Sequence, residues 1–309
     1  MKFQTPDLPK EAALAAQADG ALERLREYPD AAAYAADPLL RHACYCSDFI
    51  SAAIAADPGL PARLLRDDAL SAPFEAGRLC LPEAAEFPAE PEFMHALRLL
   101  RRDEMIRIAL RDLAGFAGLE ETLGALSALA DFCLRAASDY SRRLLVERHG
   151  EPLTEDDSPL ALCVLALGKL GGGELNFSSD IDVVFAFAEH GRTRGNPGQH
   201  VIEAEEFFTR QARLVVKYLH EITADGFVFR VDTRLRPFGD SGALVVSFDF
   251  METYYQNQGR DWERYALIKA RPVCGIESQS QRLMQLLQPF VYRRYLDYGA
   301  FEALREMKA

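Results

Sequence analysis

The chain has 309 residues, 49% hydrophobic and 27% charged, which excludes a largely disordered protein and is enough for about two domains at ~150 residues each. Its formal net charge is −12, with 17 basic and 24 acidic side chains over residues 1–150 and 18 and 23 over the rest. Such a surface repels phosphate backbones, which excludes long nucleic acid as a partner unless a local basic patch reverses the field.

Residues 1–150 hold 32 alanines against 13 in residues 151–309, so the first half is expected to be consecutive helices. Pro29, Pro38, Pro58 and Pro61 break it into short pieces, and 79–91 is a proline-bearing loop. Apolar residues at helical spacing predict a helix from 91 (Phe93, Leu97, Leu100, Ile106, Leu110) and another over 119–149 (Leu123, Leu126, Leu129, Phe132, Leu144). The pattern changes after Gly150. The apolar run 160–167 ends in glycines, as a doubly buried strand does, and a second strand is expected at 181–188. A polar loop follows over 192–199, then a helix over 203–223, a strand over 227–235, a strand over 243–248, a helix over 250–269 and a helix over 279–307 cut by Pro289. No uncharged apolar run reaches roughly 18 residues, so no membrane-spanning helix is expected, and no signal peptide is seen at the start. The absence of a cap signal after Met307 leads us to expect that the native protein continues. The six cysteines are scattered, with only Cys44 and Cys46 close and no second pair to complete a zinc site; buried, reduced thiols in a cytoplasmic protein are expected.

The informative segment is residues 167–185, Leu-Gly-Lys-Leu-Gly-Gly-Gly-Glu-Leu-Asn-Phe-Ser-Ser-Asp-Ile-Asp-Val-Val-Phe. A strand enters a Gly-rich turn and leaves into Asp-x-Asp on a second strand. Residues two apart on a strand share a face, so Asp180 and Asp182 project together while Ile181 and Val183 face the core. Two such carboxylates repel each other without a cation, and as hard oxygen donors they suit magnesium or manganese. On 227–236 the same alternation puts Val228, Arg230, Asp232, Arg234 and Arg236 on one face. If that strand lies beside the first, three carboxylates meet with arginines around them, a site for two divalent ions with phosphate oxygens between. The local positive patch would suit a phosphate or nucleotide rather than a duplex. Lys169 follows Gly168 and precedes Leu170, so the Walker pattern fails; the dinucleotide Gly-x-Gly-x-x-Gly and the Gly-x-Ser-x-Gly elbow fail too. The six histidines show no ligand spacing. Ser178 and Ser179 either cap a turn or bind phosphate. Trp262 and Tyr265 are expected in the core rather than as base-stacking platforms, and the Arg260–Arg264 face is either solvated or a nucleotide or partner contact.

Residues 167–185, with residues 230–242 (Arg-Val-Asp-Thr-Arg-Leu-Arg-Pro-Phe-Gly-Asp-Ser-Gly) and 254–271 (Tyr-Tyr-Gln-Asn-Gln-Gly-Arg-Asp-Trp-Glu-Arg-Tyr-Ala-Leu-Ile-Lys-Ala-Arg), resemble the bacterial glutamine-synthetase adenylyltransferase family, whose members add and remove AMP on glutamine synthetase. The resemblance covers residues 90–309 well and residues 1–90 only in being helical. It implies an α+β fold, largely helical with a small mixed sheet of the DNA polymerase beta-like nucleotidyltransferase type. The expected division is a helical region over 1–118, a catalytic domain over 119–275 and the start of a truncated helical segment over 276–309. The form of the motifs is similar to the N-terminal, adenylyl-removing copy of the two in that family. The implied reaction is phosphorolysis: phosphate attacks the AMP phosphorus on a tyrosine of glutamine synthetase and gives ADP. The resemblance implies that Asp180, Asp182 and Asp232 hold two Mg2+ ions, with Mn2+ able to substitute. It also implies that Gly171, Gly172, Gly173, Ser178 and Ser179 hold phosphate, with Lys169, Arg234 or Arg236 neutralising it. Glutamine synthetase, a PII-type signalling protein, phosphate, ADP and ATP are the implied partners. Transfer of AMP from ATP to the same tyrosine, and a non-catalytic regulatory module, are the competing readings.

Overall fold

The computed structural model describes residues 12–65, 70–81, 88–195 and 198–292. The chain divides into two compact units, residues 1–129 and 130–309.

The first unit is helical: α1 (Ala12–Arg26), α2 (Pro38–Cys46), α3 (Asp48–Ala56), α4 (Leu60–Leu65) and α5 (Glu90–Leu113), with α6 (Leu119–His149) containing the point of division. The breaks follow local chemistry. Asp37 accepts from the Leu40 N–H at 2.9 Å with Pro38 opening the helix, and Ser47 accepts from the Ile50 N–H at 3.3 Å. Leu25, Leu40, Ile50, Leu60, Ile106 and Leu110 are wholly or almost wholly buried in one core. Alanine-rich helices pack closely here because the small side chain lets backbones approach.

The second unit carries β1 (Glu151–Leu153), β2 (Leu162–Ala166), the single turn α7 (Gly168–Gly171), β3 (Ile181–Phe187), β4 (Arg192–Arg194), α8 (Ala204–His220), β5 (Val231–Asp232), β6 (Val245–Ser247), α9 (Phe248–Asn257), α10 (Asp261–Leu267), β7 (Arg271–Cys274) and α11 (Glu277–Val291). β2 is central, antiparallel to β3 on one side and to β7 on the other. β3 pairs in parallel with β5 at its start and with β6 at its end. α8 lays Phe207, Phe208, Val215 and Leu219, all fully buried, over this mixed sheet. Both faces of β2 are buried, which its continuous apolar run anticipates. β1 and β4 form a separate two-stranded ribbon.

Several expectations are corrected. The strand over 227–235 shrinks to Val231–Asp232, because the chain turns at once: Arg236 N–H donates to the Thr233 carbonyl at 3.2 Å and Gly239 N–H to that of Arg236 at 2.8 Å. The alternation fails with it, since Val228 and Phe229 are both buried. The polar stretch 192–199 contributes strand β4, held by Glu151, Pro152 and Leu153. The helix over 250–269 is two helices, because a Cβ at Gly259 would meet the Phe290 ring at 2.5 Å and so the chain passes hard against α11 there. Pro289 lies inside α11 without ending it before Val291, and the rest of the predicted 279–307 helix lies outside the described residues. Cys44, Cys133 and Cys163 are buried, but Cys46 and Cys80 are exposed. Burial pushes the Cys44, Cys163 and Cys274 thiols up to about 12, which keeps them protonated and unreactive. Among the described residues no helix is long and apolar enough to cross a membrane.

Candidate active site

Three aspartates are brought together by strand pairing. In the β3–β5 register Ile181 faces Val231 and Asp182 faces Asp232, so the two carboxylates are cross-strand neighbours on one face. Asp180 precedes Asp182 by two and falls on the same side. The buried neighbours Ile181 and Val183 set that orientation: a one-residue slip would bury both acids and expose both aliphatics.

Each outer acid has an arginine. Arg230 pairs with Asp180 through Nε and donates from Nη2 to the Ser178 carbonyl at 2.7 Å. Arg234 grips Asp232 with its backbone N–H at 2.8 Å and its Nε at 2.9 and 3.1 Å from the two oxygens. The Arg234 hydrogen bond holds the Asp232 carboxyl below the usual carboxylate range, against the opposing effect of burial. Asp182 lies the other way: burial raises it most, then the charges of Asp232 and Asp180, with Arg234 and Lys169 only partly opposing. Asp182 thus feels the charges of Lys169, Arg234 and both other acids.

The Gly-rich turn forms the floor. Gly168 has φ +54°, and a Cβ there would stand 2.3 Å from Asp182 Oδ2, so the Asp182 carboxylate rests directly on the Gly168 backbone. The Leu167 N–H donates to the Asp182 carbonyl at 2.9 Å. Gly171 is buried, and a Cβ on it would collide with the Lys269 carbonyl at 2.3 Å; Gly172 and Gly173 are exposed. Asn176 gathers the following turn by accepting from Ser178 N–H at 3.2 Å and Ser179 Oγ at 2.7 Å, and Lys169 Nζ donates to Ser179 Oγ at 3.2 Å. Ser178 and Ser179 therefore serve a turn in this structure. Arg236 is buried at the root of the next loop, bonded to Thr233 and Gly242 carbonyls at 2.9 and 3.3 Å.

The Arg260–Arg264 face is split: Arg260 is exposed, whereas Arg264 and the intervening Glu263 are buried. Glu263 is 2% exposed and Arg264 8%: Glu263 accepts from Tyr254 Oη and from the Arg260 N–H, both at 2.8 Å, while Arg264 caps the Phe290 carbonyl at 2.9 Å. Trp262 and Tyr265, expected in the core, are exposed instead. The residues of α10 that turn inward are instead Glu263 and Arg264, which bond to Tyr254 of α9 and to the Phe290 carbonyl of α11. Sequence reading missed Gly168 and the pair Asp131–Arg271, which bonds at 2.8 and 2.9 Å and lets Arg271 donate to the Leu170 carbonyl at 3.0 Å. A glycine directly after an apolar strand was the available signal for the first; nothing local marked the second.

As placed, Asp180 and Asp232 turn to their arginines, and among the described residues no three His, Cys, Asp or Glu side chains stand together as a metal cage. The donor set nevertheless suits a hard divalent cation: three carboxylates, the middle one crowded by the charge of the other two.

A parallel strand pair bearing Asp-x-Asp and a third aspartate, on a small mixed sheet packed by helices, defines an α+β protein of the nucleotidyltransferase type. The family model for glutamate-ammonia ligase adenylyltransferase matches residues 38–286. The chain is 52% identical over 255 residues to the bifunctional glutamine synthetase adenylyltransferase/adenylyl-removing enzyme of Thioalkalivibrio sulfidiphilus, covering 82% of this chain and 26% of that protein. It is 54% identical over 221 residues to the like-named enzyme of Nitrosococcus oceani (71% and 23%) and 50% over 224 residues to that of Shewanella woodyi (72% and 23%). The chain belongs to the glutamate-ammonia ligase adenylyltransferase family. It spans about a quarter of the length of these relatives.

Proposed function

We propose that this chain carries the adenylyl-removing site of its family: metal-dependent phosphorolysis of AMP from a tyrosine of glutamine synthetase, giving ADP. The observation that carries the reading is the in-register pair Asp182–Asp232 with Asp180 beside it, ringed by Lys169, Arg230 and Arg234. Asp180, Asp182 and Asp232 would hold Mg2+, or Mn2+ in its place, once the first and third leave their arginines. The bound ions would neutralise phosphoryl oxygens at the transferring phosphorus.

The residues supply the rest. Arg230 and Arg234, released from the carboxylates, are long exposed cations able to follow a phosphate. Lys169, tethered to Ser179, adds a point charge on the floor. The phenol that leaves has an ordinary pKa of ~10, low enough to depart as phenolate when charge is balanced, so positioning and electrostatics suffice. The string Glu-Leu-Asn-Phe-Ser-Ser-Asp-Ile-Asp over 174–182 supports removal over addition of AMP, because it resembles the N-terminal copy.

Incubating this chain with adenylylated glutamine synthetase, phosphate and Mg2+ tests the reading. ADP release supports it. ATP consumption with unmodified glutamine synthetase, and no ADP from the modified one, assigns the opposite reaction.

A further inference from the structure

Two non-glycine residues adopt positive φ, Asp157 at +62° and Phe238 at +63°, among the described residues. Aspartate tolerates that region through its short polar side chain; a phenylalanine does not, and glycine would fit better. Strain of this kind persists where the surroundings over-determine it, and it clusters at functional sites. The surroundings here are specific. The Tyr254 hydroxyl meets the Phe238 backbone N–H and donates to Glu263 Oε1 at 2.8 Å, and Glu263 is itself buried. The Phe238 ring lies 4.7 Å from Tyr254, edge to face, and 6.3 Å from Phe250. Below them Tyr255 stacks on Phe290 at 4.7 Å. This ladder holds the ring on one side only, since Phe238 stays 47% exposed.

A core aromatic would be buried, and a loop-tip residue with no role would not be strained. The loop that carries Phe238 springs directly from Asp232, and a Cβ on the adjacent Gly239 would lie 3.5 Å from the Arg234 carbonyl. A strained, half-exposed aromatic thus stands on a loop whose backbone comes up to that of Arg234, the residue whose exposed guanidinium grips Asp232. From this juxtaposition we infer that Phe238 is a stacking platform for the base of a nucleoside monophosphate whose phosphate lies at Asp180, Asp182 and Asp232. The inference rests on the function proposed above and adds the residue that recognises the base. The aromatic face serves any flat base; the strain fixes its angle before binding, which saves ordering entropy.

The test compares AMP with ribose 5-phosphate, the same phosphate and sugar without a base, by calorimetry in Mg2+ on the full chain. Stacking is worth about a tenfold or greater preference for AMP. Phe238→Leu keeps bulk and Phe238→Asn keeps the left-handed backbone; both are expected to erase most of the preference while ribose 5-phosphate affinity holds, and Phe238→Tyr is expected to retain it. Equal binding of the two probes by the wild type, or a preference unchanged in both variants, overturns the platform and leaves the carboxylate site standing. Loss of phenyl phosphate affinity instead of AMP affinity in Phe238→Leu also overturns it, by assigning the ring to the tyrosyl side. Failure of the wild type to bind either phosphate sinks the site reading itself, and the platform with it.

Discussion

Asp182 sits at the second residue of β3 with burial and then the charges of Asp232 and Asp180 raising its carboxyl. A folded pKa above the unfolded value means that the ionised form is penalised in the fold; the penalty is absent below the unfolded value near ~3.9 and fully present above the folded one. At neutral pH the charge is therefore kept at a cost in stability, as binding sites often require. Asp182→Asn is expected to lower ADP release by about 10³-fold, roughly 4 kcal/mol, while raising Tm by on the order of 2 °C. Turnover and a calorimetric scan read the two together; wild-type turnover would end the metal-ligand assignment, and a fall in Tm would make the residue structural. Gly168→Ala attacks the same atom from below. At φ +54° it costs about 1–2 kcal/mol in the backbone alone, and its methyl would push on Asp182 Oδ2. Both turnover and urea midpoint are expected to fall, and an unaltered variant would refute the close approach.

Elements position these residues through a few cross-links. Arg271 on β7 forks onto Asp131 of α6 and donates to the Leu170 carbonyl, so one guanidinium fixes the α7 turn and the Gly-rich floor. Lysine cannot reproduce that fork. Arg271→Lys is expected to cost about 1–2 kcal/mol, since the pair is only partly buried, and to lower kcat more than it raises KM because the floor shifts. Equilibrium unfolding and initial rates separate the effects; unchanged kcat at lowered stability would confine the clamp to a structural role. The strand predicted over 227–235 failed because alternation is only a pattern of side chains. The turn bonds of Arg236 and Gly239 compete for the same backbone and win after Asp232. The 181–188 strand succeeded because Val183, Val184, Phe185 and Phe187 have no other way to be buried.

Across the molecule, acid carboxylates outnumber bases, and those with cationic partners govern its response to pH. In the first unit Asp57 is held below the usual carboxylate range by Arg63, with Arg102 helping and burial opposing. A depressed folded pKa contributes stability that is present above the unfolded value and disappears as pH falls through the folded one. Urea midpoints are therefore expected to hold from neutrality to about pH 4 and to fall below it, with Asp57→Asn flattening that acid limb. An acid limb identical in the variant would show that other carboxylates set it.

Composition and periodicity alone determined that the first half is helical, that 160–167 and 181–188 are buried strands, and that Asp180 and Asp182 share a face, because each is settled by neighbours within a turn or two along the chain. Their likeness to a known family was legible for the same reason: the motif is contiguous. Tertiary structure decided that Asp232 meets Asp182 in register, that Glu263 and Arg264 are buried while Trp262 and Tyr265 face water, that Arg271 reaches Asp131, and that Phe238 is strained and half exposed. Register, burial and strain are set by segments distant in sequence competing for the same space, and no local pattern encodes which of them wins.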